Sequence, residues 1–322
     1  MKILSSFSIF VIVVFFISIF QFNSFTQTEN RYIIVIHGGA GYMSPDITDE
    51  AKNEYLQSLN NALEIGKMIL ESGGTSLDAV EQVIRFLEDD SLFNAGRGAV
   101  FTKAGVNEMD ASIMNGRDLS SGAVTGVTII KNPISLARLV MENTNHVLLS
   151  GKGANDFGKQ MNVDIVDPNY FRIEKRYRSW KKKMENEIKG TVGCVALDNF
   201  GNIATATSTG GLTGKMPGRV GDSPLISAGT YADNNTCGVS GTGTGELFIK
   251  YTIAYRVSAL MEFKGYTLQH AAEEVVFNIL PKGSGGIIAV DKDGNYALVF
   301  NTPSMLRGVA TSDGVFEVKI WK

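Results

Sequence analysis

Residues 187–210 read EIKGTVGCVALDNFGNIATATSTG, and their character changes at one peptide bond, Gly190–Thr191. From residue 171 to 190 there are eight Lys or Arg and three Glu, with no steady apolar period. Beyond the bond, Val192, Cys194, Ala196 and Leu197 open a strand that does not alternate cleanly with polar residues, the mark of a strand covered on both faces. A four-residue turn ending in Gly-Asn and a returning run make it a hairpin. The pattern recurs 93 residues on, where IAVDKDGNYA at 288–297 aligns with VALDNFGNIA at 195–204. Both hairpins need apolar cover above and below, and the helical segments beside them are apolar around most of their circumference. Two sheets packed together between helix layers, a four-layer αββα sandwich of α/β class, meet both demands.

Outward from this stretch the elements follow from periodicity. RYIIVIHGGAG at 31–41 is a buried strand running into a glycine turn. Leu56, Leu59, Leu63 and Leu70 mark a helix stopped by Gly73-Gly74, and Leu77, Val80, Val83, Ile84 and Leu87 mark a second, capped by Thr75 or Ser76. A strand is expected over 121–131 and a helix from Pro133 to Glu142. After Thr191, strands are expected near 191–197, 203–209, 237–240, 286–290, 296–301 and 315–320, with helices near 246–263 and 267–280. No Pro-rich or Gly/Ser-rich linker divides the 322 residues, so they read as one large domain.

Composition removes several classes of function. A formal net charge of −3 does not suggest a nucleic-acid binder, and the basic patch from Arg172 to Lys183, with Tyr177 and Trp180, reads as a solvated loop. The first 26 residues have the form of a signal peptide: Lys2, an apolar run from Phe7 to Phe20, then Ser24 and Thr26 at cleavage-site spacing. They predict an exported chain, periplasmic or secreted, with no stable membrane span after processing; an uncleaved anchor is the alternative. Cys194 and Cys237 read as buried thiols in neighbouring strands, with a disulfide as the alternative. His37, His146 and His270 form no zinc or iron motif. SGTGTGE at 240–246 sits between a strand and a helix as a dinucleotide loop would, but the order strand, helix, helix is not a βαβ unit. What survives is a row of backbone N–H groups suited to negative charge.

No nucleophile elbow occurs, and His37 reads more readily as a structural histidine than as a base. Thr191 supplies another solution. Cutting Gly190–Thr191 creates an α-amine, whose ordinary pKa is about 7.7 to 8.0, on the residue that carries the hydroxyl. Nucleophile and base are then one residue. The charged segment upstream becomes a disposable tether, and Gly190 tolerates the strained backbone needed for attack on its own carbonyl.

The run from Gly190 to Asp233 with GTGTGE after it, HGGAG at 37–41, LFNAGRGAVF at 92–101 and MDASIM at 109–114 closely resemble the plant-type L-asparaginase and isoaspartyl peptidase family of N-terminal nucleophile hydrolases. The resemblance covers nearly the whole chain after residue 26. After the signal-like segment 1–26, which is not the usual arrangement for a cytosolic asparaginase, it implies an alpha subunit at 27–190, ending in a basic, mobile linker from about 161, and a beta subunit at 191–322, assembled as a dimer of heterodimers. It implies Thr191 as nucleophile freed by autocleavage after Gly190, Thr209 as its supporting hydroxyl, and Thr242 with Gly243 as the oxyanion hole. Arg219 would hold the substrate α-carboxylate and Asp222 its α-ammonium, helped by the Gly245 backbone. No cofactor is implied for catalysis. A structural Na⁺ would be held by the backbone carbonyls of Leu87, Glu88, Asp90, Phe93, Ala95 and Arg97, with Asn94 beside them facing the site. The substrate is then asparagine or a β-aspartyl dipeptide with a free aspartyl α-amino and α-carboxylate group. An exported glycosylasparaginase is the nearest rival reading, and a processed but inactive amino-acid-binding protein the reading from another class.

Overall fold

The computed structural model describes residues 31–182 and 190–322. Residues 1–26, expected to be a signal peptide, and part of the basic linker therefore lie outside the described residues. Twelve described strands form two sheets. In chain order they are β1 (Ile33–Gly41), β2 (Met109–Asn115), β3 (Ser121–Val127), β4 (Leu148–Ser150), β5 (Val192–Leu197), β6 (Ile203–Thr209), β7 (Thr230–Ala232), β8 (Cys237–Gly243), β9 (Gly285–Asp291), β10 (Tyr296–Phe300), β11 (Ser304–Thr311) and β12 (Phe316–Trp321). Eight of them pair in the order β12-β11-β1-β5-β6-β2-β3-β4, and four in the order β10-β9-β8-β7.

The expected layering is present. In β1, Ile34 and Ile36 face one apolar cluster while Ile33 and Val35 face another; in β5, Cys194 and Ala196 divide in the same way from Val195 and Leu197. The first cluster includes α1 (Asp49–Glu71), α2 (Ser76–Asp89), α3 (Pro133–Asn143) and α4 (Gly151–Gln160). The second lies between the sheets and continues to α6 (Gly245–Tyr251), α7 (Ile253–Lys264) and α8 (Leu268–Glu273). Thr75 caps α2 by accepting from the Asp78 N–H.

The sequence reading leaves β2, β4, β7 and α4 unassigned, and four further features differ from it. The helix expected over 246–263 breaks at Thr252, whose φ of 49° redirects the chain so that Ala254 and Tyr255 give their N–H groups to the carbonyls of Ala228 and Ser227. The helix expected over 267–280 ends as a wider π-type turn, Glu274–Ile279. The strand β11 was unread because Arg307 and Gly308 interrupt its apolar pattern. Arg307 is nevertheless buried, bonded to the carbonyls of Met305 and Trp321 and lying over the Phe300 ring. Fourth, the described part of the basic segment is not loop throughout. Residues Pro168–Phe171 form a 3₁₀ turn with Phe171 fully buried, and α5 (Glu174–Lys182) packs Tyr177 and Trp180 on Phe101.

Cys194 and Cys237 are free and buried. They stand in different sheets, Cys194 in β5 and Cys237 in β8, each turned toward a helix layer, rather than in paired strands. Among the described residues no helix is long and apolar enough to cross a membrane.

Candidate active site

The site begins where β1 and β5 part. Their antiparallel ladder runs from Ile33 opposite Leu197 to His37 opposite Gly193. Continued by one more pair on the same face, it would set Gly39 against Thr191, but β1 bulges between His37 and Gly39, where Gly39 takes a φ of 116° that an L side chain resists. On its other side β5 keeps its partner. Val192 lies opposite Ser208, which brings Thr191 beside Thr209.

Both threonines are buried, and the Thr191 hydroxyl donates to Thr209 Oγ1 across 3.1 Å. The Gly211 N–H donates to the same Thr209 oxygen at 2.9 Å, fixing its orientation. The Gly190 carbonyl accepts from Asn94 Nδ2 at 2.7 Å and from Thr209 Oγ1 at 3.3 Å. Asn94 is itself held, donating to the Gly211 carbonyl and accepting the Val100 N–H.

The clamp residues open on the same pocket, which is lined by Gly190, Thr191, Thr209, Arg219, Asp222, Gly243 and Gly245 among others. Asp222 is buried with its Oδ2 unpartnered. Burial pushes its carboxyl up to about 7, against the opposing pull of Arg219. Arg219 Nε donates to Glu246 Oε1 at 3.0 Å; its buried Nη2 lies 2.9 Å from the same oxygen but makes no hydrogen bond of good geometry. A carboxylate acceptor and a guanidinium donor thus face one pocket with capacity to spare. A Cβ on Gly245 would stand 2.7 Å from Asp222 Oδ1 and 2.9 Å from Arg219 Nη2, so the bare glycine leaves both groups accessible.

Thr242 and Gly243 end β8 next to the pocket. Thr242 Oγ1 accepts the Ala40 N–H at 3.3 Å, which leaves its own proton to point elsewhere. Gly243 adopts a φ of 151°, and a Cβ there would collide with the Ser284 carbonyl at 2.1 Å.

The structure therefore brings Thr191, Thr209, Arg219, Asp222, Gly243 and Gly245 to one pocket, with Thr242 adjoining Gly243 in β8. Glu246, which steadies Arg219, was not singled out; an acidic residue opening a helix beside a needed arginine was the available signal. His37 is fully buried, with Nδ1 2.9 Å from the Thr191 carbonyl and Nε2 3.0 Å from Ser240 Oγ. Burial pushes its pKa down to about 3, which keeps the ring neutral.

Residues 87–97, the end of α2 and the turn after it, carry Asn94. A Cβ on Gly96 would stand 2.4 Å from the Glu88 carbonyl oxygen, and one on Gly98 would stand 1.9 Å from that of Phe93. Carbonyls crowded against bare glycines, each with a second lone pair, fit an oxygen-only cation site. Of the Glu88 carboxyl, Oε1 accepts from Ser208 Oγ and the Ile134 N–H, while the buried Oε2 has no hydrogen-bond partner among the described residues. Among the described residues no cluster of His, Cys, Asp and Glu could hold a metal ion.

The profile of the asparaginase family matches residues 30–320. The chain is 46% identical to the isoaspartyl peptidase of Salmonella typhimurium, over 86% of this chain and 95% of that one. It is 44% identical to the isoaspartyl peptidase of Escherichia coli, over 90% and 97% respectively. It is 43% identical to the isoaspartyl peptidase/L-asparaginase of Bos taurus, over 85% and 91%.

Proposed function

Because the chain belongs to the asparaginase family, we propose that it is an isoaspartyl peptidase/L-asparaginase of the N-terminal nucleophile type, releasing L-aspartate from asparagine and β-aspartyl dipeptides. The observation that carries the reading is the 3.1 Å contact of Thr191 and Thr209 hydroxyls in one pocket with the under-used Arg219 and Asp222.

The chain first cuts itself. Thr191 Oγ1 attacks the Gly190 carbonyl carbon, the carbonyl oxygen takes up negative charge facing Asn94 Nδ2–H and the Thr209 hydroxyl, and the peptide C–N bond breaks as the proton given up by the Thr191 hydroxyl is delivered to the departing nitrogen, leaving an ester and a free Thr191 amine. Water opens the ester, giving a Gly190 carboxylate and the Thr191 hydroxyl. In turnover the amine accepts the hydroxyl proton as Oγ1 attacks the substrate β-carbonyl. Thr242 and the Gly243 N–H receive the oxyanion, a service worth about 3–4 kcal/mol per donor. The amine then gives its proton to the departing ammonia or peptide amine, and water hydrolyses the acyl-threonine. Arg219 and Asp222 grip the unsubstituted α-carboxylate and α-ammonium, which makes the side-chain carbonyl the one that reacts.

A sodium ion held by the carbonyls of Leu87, Glu88, Asp90, Phe93, Ala95 and Arg97 would stiffen the loop that carries Asn94. We assign the segment 1–26 as an export signal and the processed enzyme as a dimer of alpha/beta heterodimers, to be checked by the N-terminal sequence and native mass of the purified protein. The central test is intact mass: the wild type should yield a fragment beginning at Thr191 and ending at Lys322. Wild-type protein that stays uncut yet hydrolyses β-Asp-Leu would sink the mechanism. Parallel kcat/KM on β-Asp-Leu, asparagine and glycosylated asparagine then reads the leaving group, and a clear preference for the sugar-bearing substrate would move the assignment to glycosylasparaginase.

A further inference from the structure

The bulge in β1 removes the strand neighbour of Thr191, and a side chain stands in its place. The Thr191 carbonyl can only accept, so His37 Nδ1 carries the proton of their 2.9 Å bond. Nε2, being unprotonated, accepts from Ser240 Oγ at 3.0 Å. The directions of the next two hydroxyls follow. Thr207 Oγ1 donates to Ser240 Oγ at 2.7 Å and Thr230 Oγ1 donates to Thr207 Oγ1 at 2.7 Å, while Ser112 Oγ has two acceptors for its proton, Thr230 Oγ1 at 2.8 Å and the Ser223 carbonyl at 2.6 Å. Each hydroxyl spends its single proton once. A doubly protonated ring would push Ser240 to donate to Thr207, which already receives from Thr230, and would leave the Thr207 proton without this acceptor. The groups named here are all buried hydroxyls, with no carboxylate among them to favour a charged imidazole.

The line of hydroxyls crosses from the eight-stranded to the four-stranded sheet and ends on the residue after Asp222. Room for it is reserved in the backbone: a Cβ on Gly193 would stand 2.2 Å from His37 Nε2 and 2.1 Å from Ser240 Oγ. Only a glycine opposite His37 lets the ring lie this close to β5.

We propose that His37 is a positioning residue for the nucleophile: its ring replaces the ladder partner that Thr191 lost at the bulge, and so fixes the carbonyl, and with it the direction of the amine and hydroxyl of residue 191. The base remains the Thr191 amine. The inference rests on Thr191 as nucleophile, and loss of hydrolysis in Thr191→Ala establishes that premise whatever the His37 variants do.

The test compares His37→Leu with His37→Gln, whose amide can both donate to the carbonyl and accept from Ser240, using cleaved enzyme quantified by its Thr191 fragment. His37→Leu should lower kcat on β-Asp-Leu by about 30-fold or more with KM within about twofold, as expected for a misplaced reacting group. His37→Gln should recover at least about tenfold of that loss, and the acid limb of the pH profile should keep its midpoint in both. A raised KM at unchanged kcat, a lost acid limb, or a Gln variant no better than a folded Leu variant would overturn the proposal. Should both variants fail to fold, nitrogen-15 spectra of wild-type His37 decide it: a neutral ring protonated at Nδ1 from pH 5 to 9 is expected, and an Nε2–H or charged ring refutes it.

Discussion

Thr191 has a counterpart 93 residues downstream, and the two have opposite fates. Lys189-Gly190-Thr191 precedes β5 as Lys282-Gly283-Ser284 precedes β9, and both hairpins have the same register, with Leu197 facing Ile203 and Val290 facing Tyr296. Their turns are built alike. Asp198 Oδ1 accepts from the Phe200 and Asn202 N–H groups, and Asp291 Oδ1 from those of Asp293 and Asn295. Even the supporting hydroxyl is repeated, Thr302 standing where Thr209 stands. Yet Ser284 turns its hydroxyl to the Pro281 carbonyl and Thr302 turns its own to that of Ser304, whereas the Thr191 hydroxyl meets Thr209 in the pocket. A Gly-hydroxyl pair before a buried hairpin is thus a piece of structure. On the proposed reading it becomes a reacting bond where the neighbouring strand lets go and the hydroxyl has no carbonyl to satisfy.

The largest separation of the two copies should come from Thr191→Ala, which should remain one chain and lose about 10⁴-fold or more in kcat/KM, while Ser284→Ala is cut and active like the wild type. Intact mass and kinetics on β-Asp-Leu read both, and a cut at Gly283 in any variant would erase the distinction. Next comes Asn94→Ala, which withdraws the donor at the Gly190 carbonyl and should slow self-cleavage by about 10²–10³-fold, followed on a gel after synthesis. Arg219→Ala should lower kcat/KM by about 30-fold or more, a charge-assisted clamp being worth about 2–5 kcal/mol, while cleavage continues.

The acid limb is a smaller, graded effect. Asp222 binds the substrate ammonium only when ionised, and burial has raised its carboxyl to about 7, so KM should rise as pH falls through that value. The bound ammonium favours the charged carboxylate, so the effect on kcat should lie further toward acid. A KM flat from pH 8 to 5 would remove Asp222 from the clamp. Smallest are the turn aspartates. Each orphaned buried group costs about 1–3 kcal/mol, and Asp198→Ala should cost more than Asp291→Ala in urea melts because Asp198 Oδ2 accepts the buried Ser76 N–H at the start of α2, whereas Asp291 Oδ2 accepts only the Asn295 side chain of its own turn. Equal losses would mean that this tie contributes nothing.

Much of the molecule was legible because the signals were short-range. Doubly covered strands show as unbroken apolar runs, the Gly-Asn turns are set by positive φ at Gly201 and Gly294, and the Thr75 cap is read from its neighbours. The strand β11 was not legible, since Arg307 is buried only because the carbonyl of Trp321 and the ring of Phe300 accept it. The break at Thr252 was equally hidden, because the carbonyls that compensate it belong to the loop at 227–228.

By itself the sequence determined the layered sandwich and singled out the bond proposed to be cut, because side-chain period, turn chemistry and the pairing of an amine with its own hydroxyl are properties of neighbouring residues; the proposed clamp came from the family resemblance. Only the tertiary structure decided that Thr191 and not Ser284 faces the pocket, that Asn94 holds the Gly190 carbonyl, and that His37 holds the next one. Those partners come from 96 and 154 residues away and are selected by a one-residue bulge, whose place in the ladder depends on strands that meet only in the folded chain.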